Sequence, residues 1–367
     1  MAKKQLAGKE KVVRQTAGAG TQDGSQYYAG LDVGLRSTFI CVVDSLGQRL
    51  LECEVASDAE VIAEALGKRK VDYALVGLET GQLSIHLTKA LKQRGLPAIC
   101  MDARQVAAAL STKINKTDRN DAVGIAHLLR CGLYREVHVK SDDACDKRIL
   151  LASRRQLMNQ AGALEASIRG LMKIHGVVLG PARRLAFIPR VREEMSKLGS
   201  HAQLGMEALV SSLEQLRHAI RSLDAAVKQQ AKEDARSRLL MSMPGVGPLT
   251  SSHFVAVMDD AQRFTTSRSV GAYLGLTPRQ YSSGETMRQG RISRAGPAEC
   301  RAMLYEAAHC LLHFYKKPSH LKAWGMKLAK KKGMQRAIVA VARRMAVIMH
   351  RMLVTGQPYN DSKLKMA

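Results

Sequence analysis

The chain has 367 residues, 46% of them hydrophobic, which excludes a disordered polypeptide and leads us to expect two domains and a connector. Its 57 Lys and Arg against 32 Asp and Glu leave a net charge of +25, pointing to a polyanion such as nucleic acid. No apolar run approaches the ~20 residues that span a bilayer and no charged, apolar leader opens the chain, so we expect a soluble cytoplasmic protein with no membrane partner.

Residues 1–26 are rich in Lys, Gly, Gln and Ala without apolar periodicity and read as a basic flexible tail. From Tyr27, the stretches YYAGLDVG, STFICVVD and QRLLECEV read as three successive strands joined by short Gly- or Ser-containing turns. Helical spacing follows over Ala59–Lys68, then a strand over Asp72–Glu79, a helix over Leu83–Arg94 and a short strand over Pro97–Asp102. A three-stranded meander extended by right-handed βαβ units is the order of an RNase H-like α/β domain, expected over residues 27–144.

Residues 145–236 are expected to form a helical coiled-coil connector. Leu150, Leu157, Leu164 and Leu171 recur every seven residues, with Ala161 and Ile168 in the partner position. Leu209, Leu213, Leu216, Ile220, Leu223 and Val227 alternate spacings of four and three, and the segment from Gly176 to Pro189 separates the two arms. An antiparallel hairpin inside one subunit and a coiled coil between subunits both satisfy this pattern. Residues 237–367 are expected to be a mostly helical domain, and from Ala307 to Asn360 it holds no acidic residue while Lys330, Lys331 and Lys332 join other cations. Like charges at that density call for an anion, and phosphate backbone supplies one. The seven cysteines contain no Cys-x-x-Cys pair and read as reduced, mostly buried thiols.

Four acids stand out. Asp32 and Glu79 each end an apolar strand with Gly two residues on, where α/β sheets place catalytic groups. Asp118 and Asp121 lie three apart in KTDRNDA, on one face of the helix that Thr117 would cap. Crowded carboxylates repel unless a cation offsets them, so the set suits Mg²⁺ or Mn²⁺ held by hard oxygens. Two such ions would serve in-line phosphoryl displacement. Taken singly, each acid also reads as a turn residue, a surface charge or a helix cap. Asp44 and Asp102 end strands as well, leaving membership of the set open.

A second constellation is LGLTPRQYSSGETMRQGRISRAG, with Ser282, Ser283 and Gly284 in an expected loop flanked by Arg279, Arg288, Arg291 and Arg294. All seven basic residues from Arg263 to Tyr305 are Arg, which suits bidentate phosphate binding. A serine there either attacks a phosphodiester or only hydrogen-bonds DNA, and no His lies near in sequence to act as its base. The stretch MPGVGPLT, Met243–Thr250, looks like half of a helix-hairpin-helix element, an ordinary tight turn being the alternative.

With these residues in place, the chain resembles the DEDD transposases of the insertion-sequence one-ten kind, the bridge-RNA-guided recombinases. The matching pieces are GLDVG around Asp32, GLETG around Glu79, KTDRNDA, MPGVGPLT, and LGLTPRQYSSGE through RISRAG. The resemblance implies a RuvC-like domain in which Asp32, Glu79, Asp118 and Asp121 bind the metal. It implies that Ser283 becomes joined to DNA, with Ser282 as the alternative. It also implies donor and target DNA, a noncoding bridge RNA and a dimeric or tetrameric homo-oligomer as partners. The rivals are a RuvC-like junction-resolving endonuclease and a non-catalytic architectural nucleic-acid binder.

Overall fold

The computed structural model describes residues 26–111, 116–181, 184–284 and 286–362, so the tail expected over residues 1–26 lies, but for Gln26, outside the described residues. The chain divides between Lys140 and Ser141 into two compact units.

The first unit is mixed α/β. In chain order it holds β1 (Tyr27–Val33), β2 (Ser37–Val43), β3 (Arg49–Ala56), α1 (Ala59–Gly67), β4 (Tyr73–Glu79), α2 (Ser84–Gln93), β5 (Ala98–Met101), α3 (Ala103–Leu110) and α4 (Asp118–Arg130). The sheet order is β3-β2-β1-β4-β5. The first three strands pair antiparallel, as tight turns allow, and β4 and β5 join in parallel through helical crossovers. The α3 helix was not expected from the sequence; Asp102 starts it by accepting the Arg104 amide.

Each strand sends alternate residues to opposite faces. One face carries Leu31, Ile40, Val42, Val76 and Leu78, packed with Ile62 and Leu66 of α1 and Leu87 and Leu91 of α2. The other face of β1 carries Tyr28, Gly30 and Asp32, and α4 lies across it. A Cβ on Gly30 would fall 2.2 Å from the Ala122 carbonyl oxygen and 2.4 Å from the Ala126 nitrogen. On β4, a Cβ on Gly77 would meet the Leu129 methyls at 2.7 and 2.9 Å. The backbone contact of α4 at Gly30 and the seat of the Leu129 side chain at Gly77 therefore depend on these two missing side chains, with Cys41, Val43, Val123 and Ala126 closing the layer.

The second unit holds α5 (Asp142–Met172), a 3-10 turn (Lys173–His175), α6 (Arg184–Met195), α7 (Ser200–Glu233), α8 (Ala235–Met241), α9 (Pro248–Met258), α10 (Ser267–Tyr273), β6 (Pro278–Ser283), β7 (Thr286–Ile292), α11 (Ala298–His313), α12 (His320–Lys332) and α13 (Met334–Thr355). The heptad-bearing helices pair with each other inside the chain. Lys147 to Asp234 at 2.7 Å, Arg154 to Asp224 at 2.5 Å and Glu165 to Arg217 at 2.6 Å ascend α5 while descending α7, the signature of an antiparallel pair.

The buried row on α7 is Met206, Val210, Leu213, Arg217, Ile220 and Val227, so Leu209 and Leu216 flank the seam, and Leu171 of α5 is 42% exposed. Arg217 occupies a seam position because Glu165 takes its charge and the Phe187 ring of α6 lies 5.7 Å beneath its guanidinium. Helices α8 to α13 enclose the largest core, from Leu240 and Phe254 to Val341 and Met349.

None of the seven cysteines is in a disulfide, but only Cys41, Cys100 and Cys300 are buried while Cys131 and Cys310 are exposed, against the expectation of mostly buried thiols. Among the described residues no helix is long and apolar enough to cross a membrane.

The seat of α4 gives a direct test. Gly30→Ala should destabilise the protein by about 1–3 kcal/mol in a urea titration, because a methyl placed on backbone atoms forces the helix away. Unchanged stability would show that α4 yields freely.

Candidate active site

The carboxylates of the first unit meet at one end of the α4 layer. Leu31 of β1 is in register with Leu78 of β4, so the next residues, Asp32 and Glu79, stand side by side at the strand ends, on the face that α4 covers. Thr117 caps α4, its hydroxyl accepting the Asn120 amide at 3.2 Å, and Asp118 and Asp121 fall in the first turn. Since Ala122 rests on Gly30, the turn just before it is delivered to the neighbourhood of Asp32.

Asp32 and Glu79 sense the acids around them. Burial first, then the charges of Asp118 and Asp121, push the Asp32 carboxyl up to about 6. Burial, then Asp32 and Asp121, likewise raise Glu79. Only Lys116 opposes both shifts, a cation that sequence reading passed over although it opens KTDRNDA.

What separates these acids from their neighbours is how the neighbours are occupied. Asp44 accepts the Leu46 and Gln48 amides at 2.9 and 2.8 Å and so builds a turn. Asp102 caps α3 and pairs with Arg104, whose hydrogen bond holds its carboxyl below the usual range. Glu52 is taken by Arg49 and Arg119. By contrast, the carboxylates of Asp32, Glu79, Asp118 and Asp121 make no hydrogen bond or ion pair among the described residues.

Unpartnered, mutually repelling oxygen donors fit a hard divalent cation in kind. Among the described residues, however, no group of three His, Cys, Asp or Glu side chains converges closely enough to hold one ion as it stands.

In the second unit, Ser282 and Ser283 are the last residues of β6 and not part of a loop, and Gly284 follows them at φ 54. The polar, Gly-containing sequence hid a hairpin whose register sets Ser283 opposite Thr286 and Tyr281 opposite Arg288. Ser283, Tyr281 and Arg288 thus share one ribbon face, with Arg288 diagonal to the serine and within reach of a long side chain.

Arg279, Arg288, Arg291 and Arg294 are all exposed, and Arg294 adopts φ 56 where the chain doubles back on Gly275. Two of the seven arginines are not available to an anion. Arg263 lies 4.2 and 4.7 Å over the Phe264 and Tyr273 rings, and Arg301 donates to the Leu274 carbonyl at 2.9 Å.

Helices α8 and α9 flank the turn of MPGVGPLT, with Gly245 at φ 84, Gly247 at the cap and Pro248 in the first turn, leaving amides of α9 without a side-chain cap. Lys330, Lys331 and Lys332 are exposed in the last turn of α12, where the helix dipole also favours cations.

A raised carboxyl has a defined signature. Folded Asp32 keeps its proton to about pH 6 whereas the unfolded residue loses it near 3.8, so folding loses stability as pH rises through that window. Asp32→Asn should therefore melt above wild type at pH 7.5 in metal-free buffer, the gap closing near pH 4. A gap that widens toward pH 4 would contradict this environment for Asp32.

Comparison with known proteins draws the two units together. A model described as a transposase, of the DEDD type of IS110, matches residues 29–176, and the model "Transposase IS116/IS110/IS902 family" matches residues 237–324. The transposase for insertion sequence element IS1111A of Coxiella burnetii is 28% identical over 334 residues, 90% of both chains. A probable family 20 transposase of Pseudomonas aeruginosa is 28% identical over 66% of this chain and 73% of its own. The pilin gene-inverting protein of Moraxella lacunata is 28% identical over 34% of this chain and 39% of its own. With models of one transposase family matching in both units and similarity running along nine-tenths of a relative, the chain is a DNA-recombining enzyme that belongs to the IS110 family of insertion-sequence transposases.

Proposed function

We propose that this transposase excises and inserts its element by a reaction shared between the four carboxylates and Ser283, on an RNase H-like first unit. The observation that supports the reading is that the charges of Asp118 and Asp121 raise the Asp32 carboxyl and those of Asp32 and Asp121 raise Glu79, at the ends of two adjacent strands, whereas Asp44, Asp102 and Glu52 are each occupied by amides or arginines. Sheet order β3-β2-β1-β4-β5 with an acid at the ends of β1 and β4 supports the RNase H-like assignment.

Asp32, Glu79, Asp118 and Asp121 would hold Mg²⁺ or Mn²⁺, which when bound supplies Lewis-acid stabilisation of the oxygens exchanged at phosphorus. The Ser283 hydroxyl displaces one ester oxygen of a backbone phosphate. A phosphoserine ester forms, the strand's P–O bond breaks, and the serine proton goes to the departing strand hydroxyl. Attack on that ester by the hydroxyl of another strand releases the serine and rejoins DNA without an external energy source. Arg288, sharing the ribbon face with Ser283, offsets charge on the phosphate. Arg279, Arg291 and Arg294, with Lys330 to Lys332, grip donor and target backbone.

A bridge RNA and a homo-oligomer, dimer or tetramer, complete the proposal. A surface that binds backbone through Arg and Lys leaves sequence choice to base pairing. The carboxylates and the serine fall in different units of the chain, which suits centres completed between copies.

Asp118→Asn and Asp121→Asn should each lower strand cleavage about a hundredfold or more while leaving folding and DNA binding intact, since the charge is lost at constant volume. Near-normal recombination by either would remove the four-acid reading. Ser283→Ala should abolish any covalent protein–DNA adduct in denaturing gels. An adduct that survives it but disappears in Ser282→Ala would move the nucleophile by one residue. Cleavage with no adduct in the unmodified enzyme would favour a junction-resolving hydrolase.

A further inference from the structure

The solvent side of α11 carries an aromatic group that the serine and the carboxylates leave unexplained. Cys300, Leu304, Ala307, Ala308, Leu311 and Leu312 form the buried stripe of this helix. On its other side, in the last turn, the rings of His309 and His313 stack with centroids 4.1 Å apart and planes 29° from parallel. Phe314 meets His309 edge-on at 5.7 Å and is itself 68% exposed.

This cluster is held in place. The His313 Nδ1 lies 3.1 Å from the His309 carbonyl, and the Phe314 amide donates to Cys310 to end the helix. Tyr315, next in line, turns the other way and packs on the core, so Phe314 is presented outward by the chain path.

An exposed helix face ordinarily carries charged or small side chains; three rings in mutual contact are an unspent apolar surface of fixed orientation. Its surroundings choose the occupant. Lys316 and Lys317 follow directly and are exposed, and no acid occurs from Ala307 to Asn360. A protein partner that buried such a patch would have to neutralise those lysines, whereas a nucleic-acid strand brings a base and a phosphate at once. Stacking on aromatic faces beside a cationic track is how unpaired bases are held, and a base inside a duplex cannot reach such a ring.

We propose that His309, His313 and Phe314 form a stacking platform for an unpaired nucleobase, with Lys316 and Lys317 on its flanking phosphates. The occupant is single-stranded nucleic acid, displaced DNA or RNA alike in chemistry. The proposal rests on the chain being a DNA transposase and not on the roles given to Ser283 or the four acids.

The test uses the full-length protein and 12-residue oligonucleotides of dT, of U, and a duplex of equal length, each end-labelled for anisotropy. Phe314→Ala should weaken single-strand binding about tenfold, as expected for one lost base stack, and leave the duplex within twofold. Phe314→Trp should restore binding, with its indole fluorescence quenched on addition of the strand. A deficit for dT alone marks displaced DNA as the occupant and a deficit for U alone marks RNA. Equal loss on single strands and duplex, or no loss on either strand, overturns the platform. A Phe314→Ala protein that binds strands normally but sediments as a smaller species overturns it in favour of a contact between protein copies.

Discussion

The contact of α4 with the glycine face of β1 and β4 is the constraint on which the candidate site depends. A sheet face with ordinary side chains keeps a helix roughly 10 Å away, whereas Gly30 admits the Ala122 and Ala126 backbone directly. Because Asp121 immediately precedes Ala122 and Asp32 lies two residues beyond Gly30, one close approach fixes both ends of the acidic set. Moving the helix outward would leave the same carboxylates as solvated surface charges. The glycines in GLDVG and GLETG therefore position chemistry as much as they shape strands.

Much of this was legible from residue order. Short runs of alternating or continuous apolar character located the strands of the first unit, and KTDRNDA announced both the cap at Thr117 and the first-turn acids. Choosing among the acids was not legible. Asp44 and Asp102 end strands just as Asp32 and Glu79 do, and only the structure reveals that turn amides and Arg104 occupy them. The β6–β7 hairpin escaped because PRQYSS and TMRQGRI are mostly polar and show no apolar alternation. Leu213, Ile220 and Val227 of the expected α7 seam are buried, but Val210 and Arg217 stand where Leu209 and Leu216 were expected, because a buried arginine cannot be told from a surface one until Glu165 is seen beside it.

Arginine and lysine serve two ends here. Lys147, Arg154 and Arg217 bind α5 to α7 through carboxylates, and Arg263 and Arg301 fasten rings and carbonyls within the helical core. The net charge of +25 thus overstates the cation left free at the surface. Arg279, Arg288, Arg291 and Arg294 are exposed on and just after the hairpin that carries the serines.

We propose that Asp32, Glu79, Asp118 and Asp121, brought to one end of the sheet by α4, bind a divalent cation. Mn²⁺ binding by the DNA-free protein, followed through the electron paramagnetic resonance of the free ion at pH 7.5, tests it most directly. Glu79→Gln and Asp121→Asn should each weaken binding about tenfold or more, while Asp44→Asn and Asp102→Asn bind as the unmodified protein does. Equal losses from Asp44→Asn or Asp102→Asn, or undiminished binding by Asp121→Asn, would contradict it.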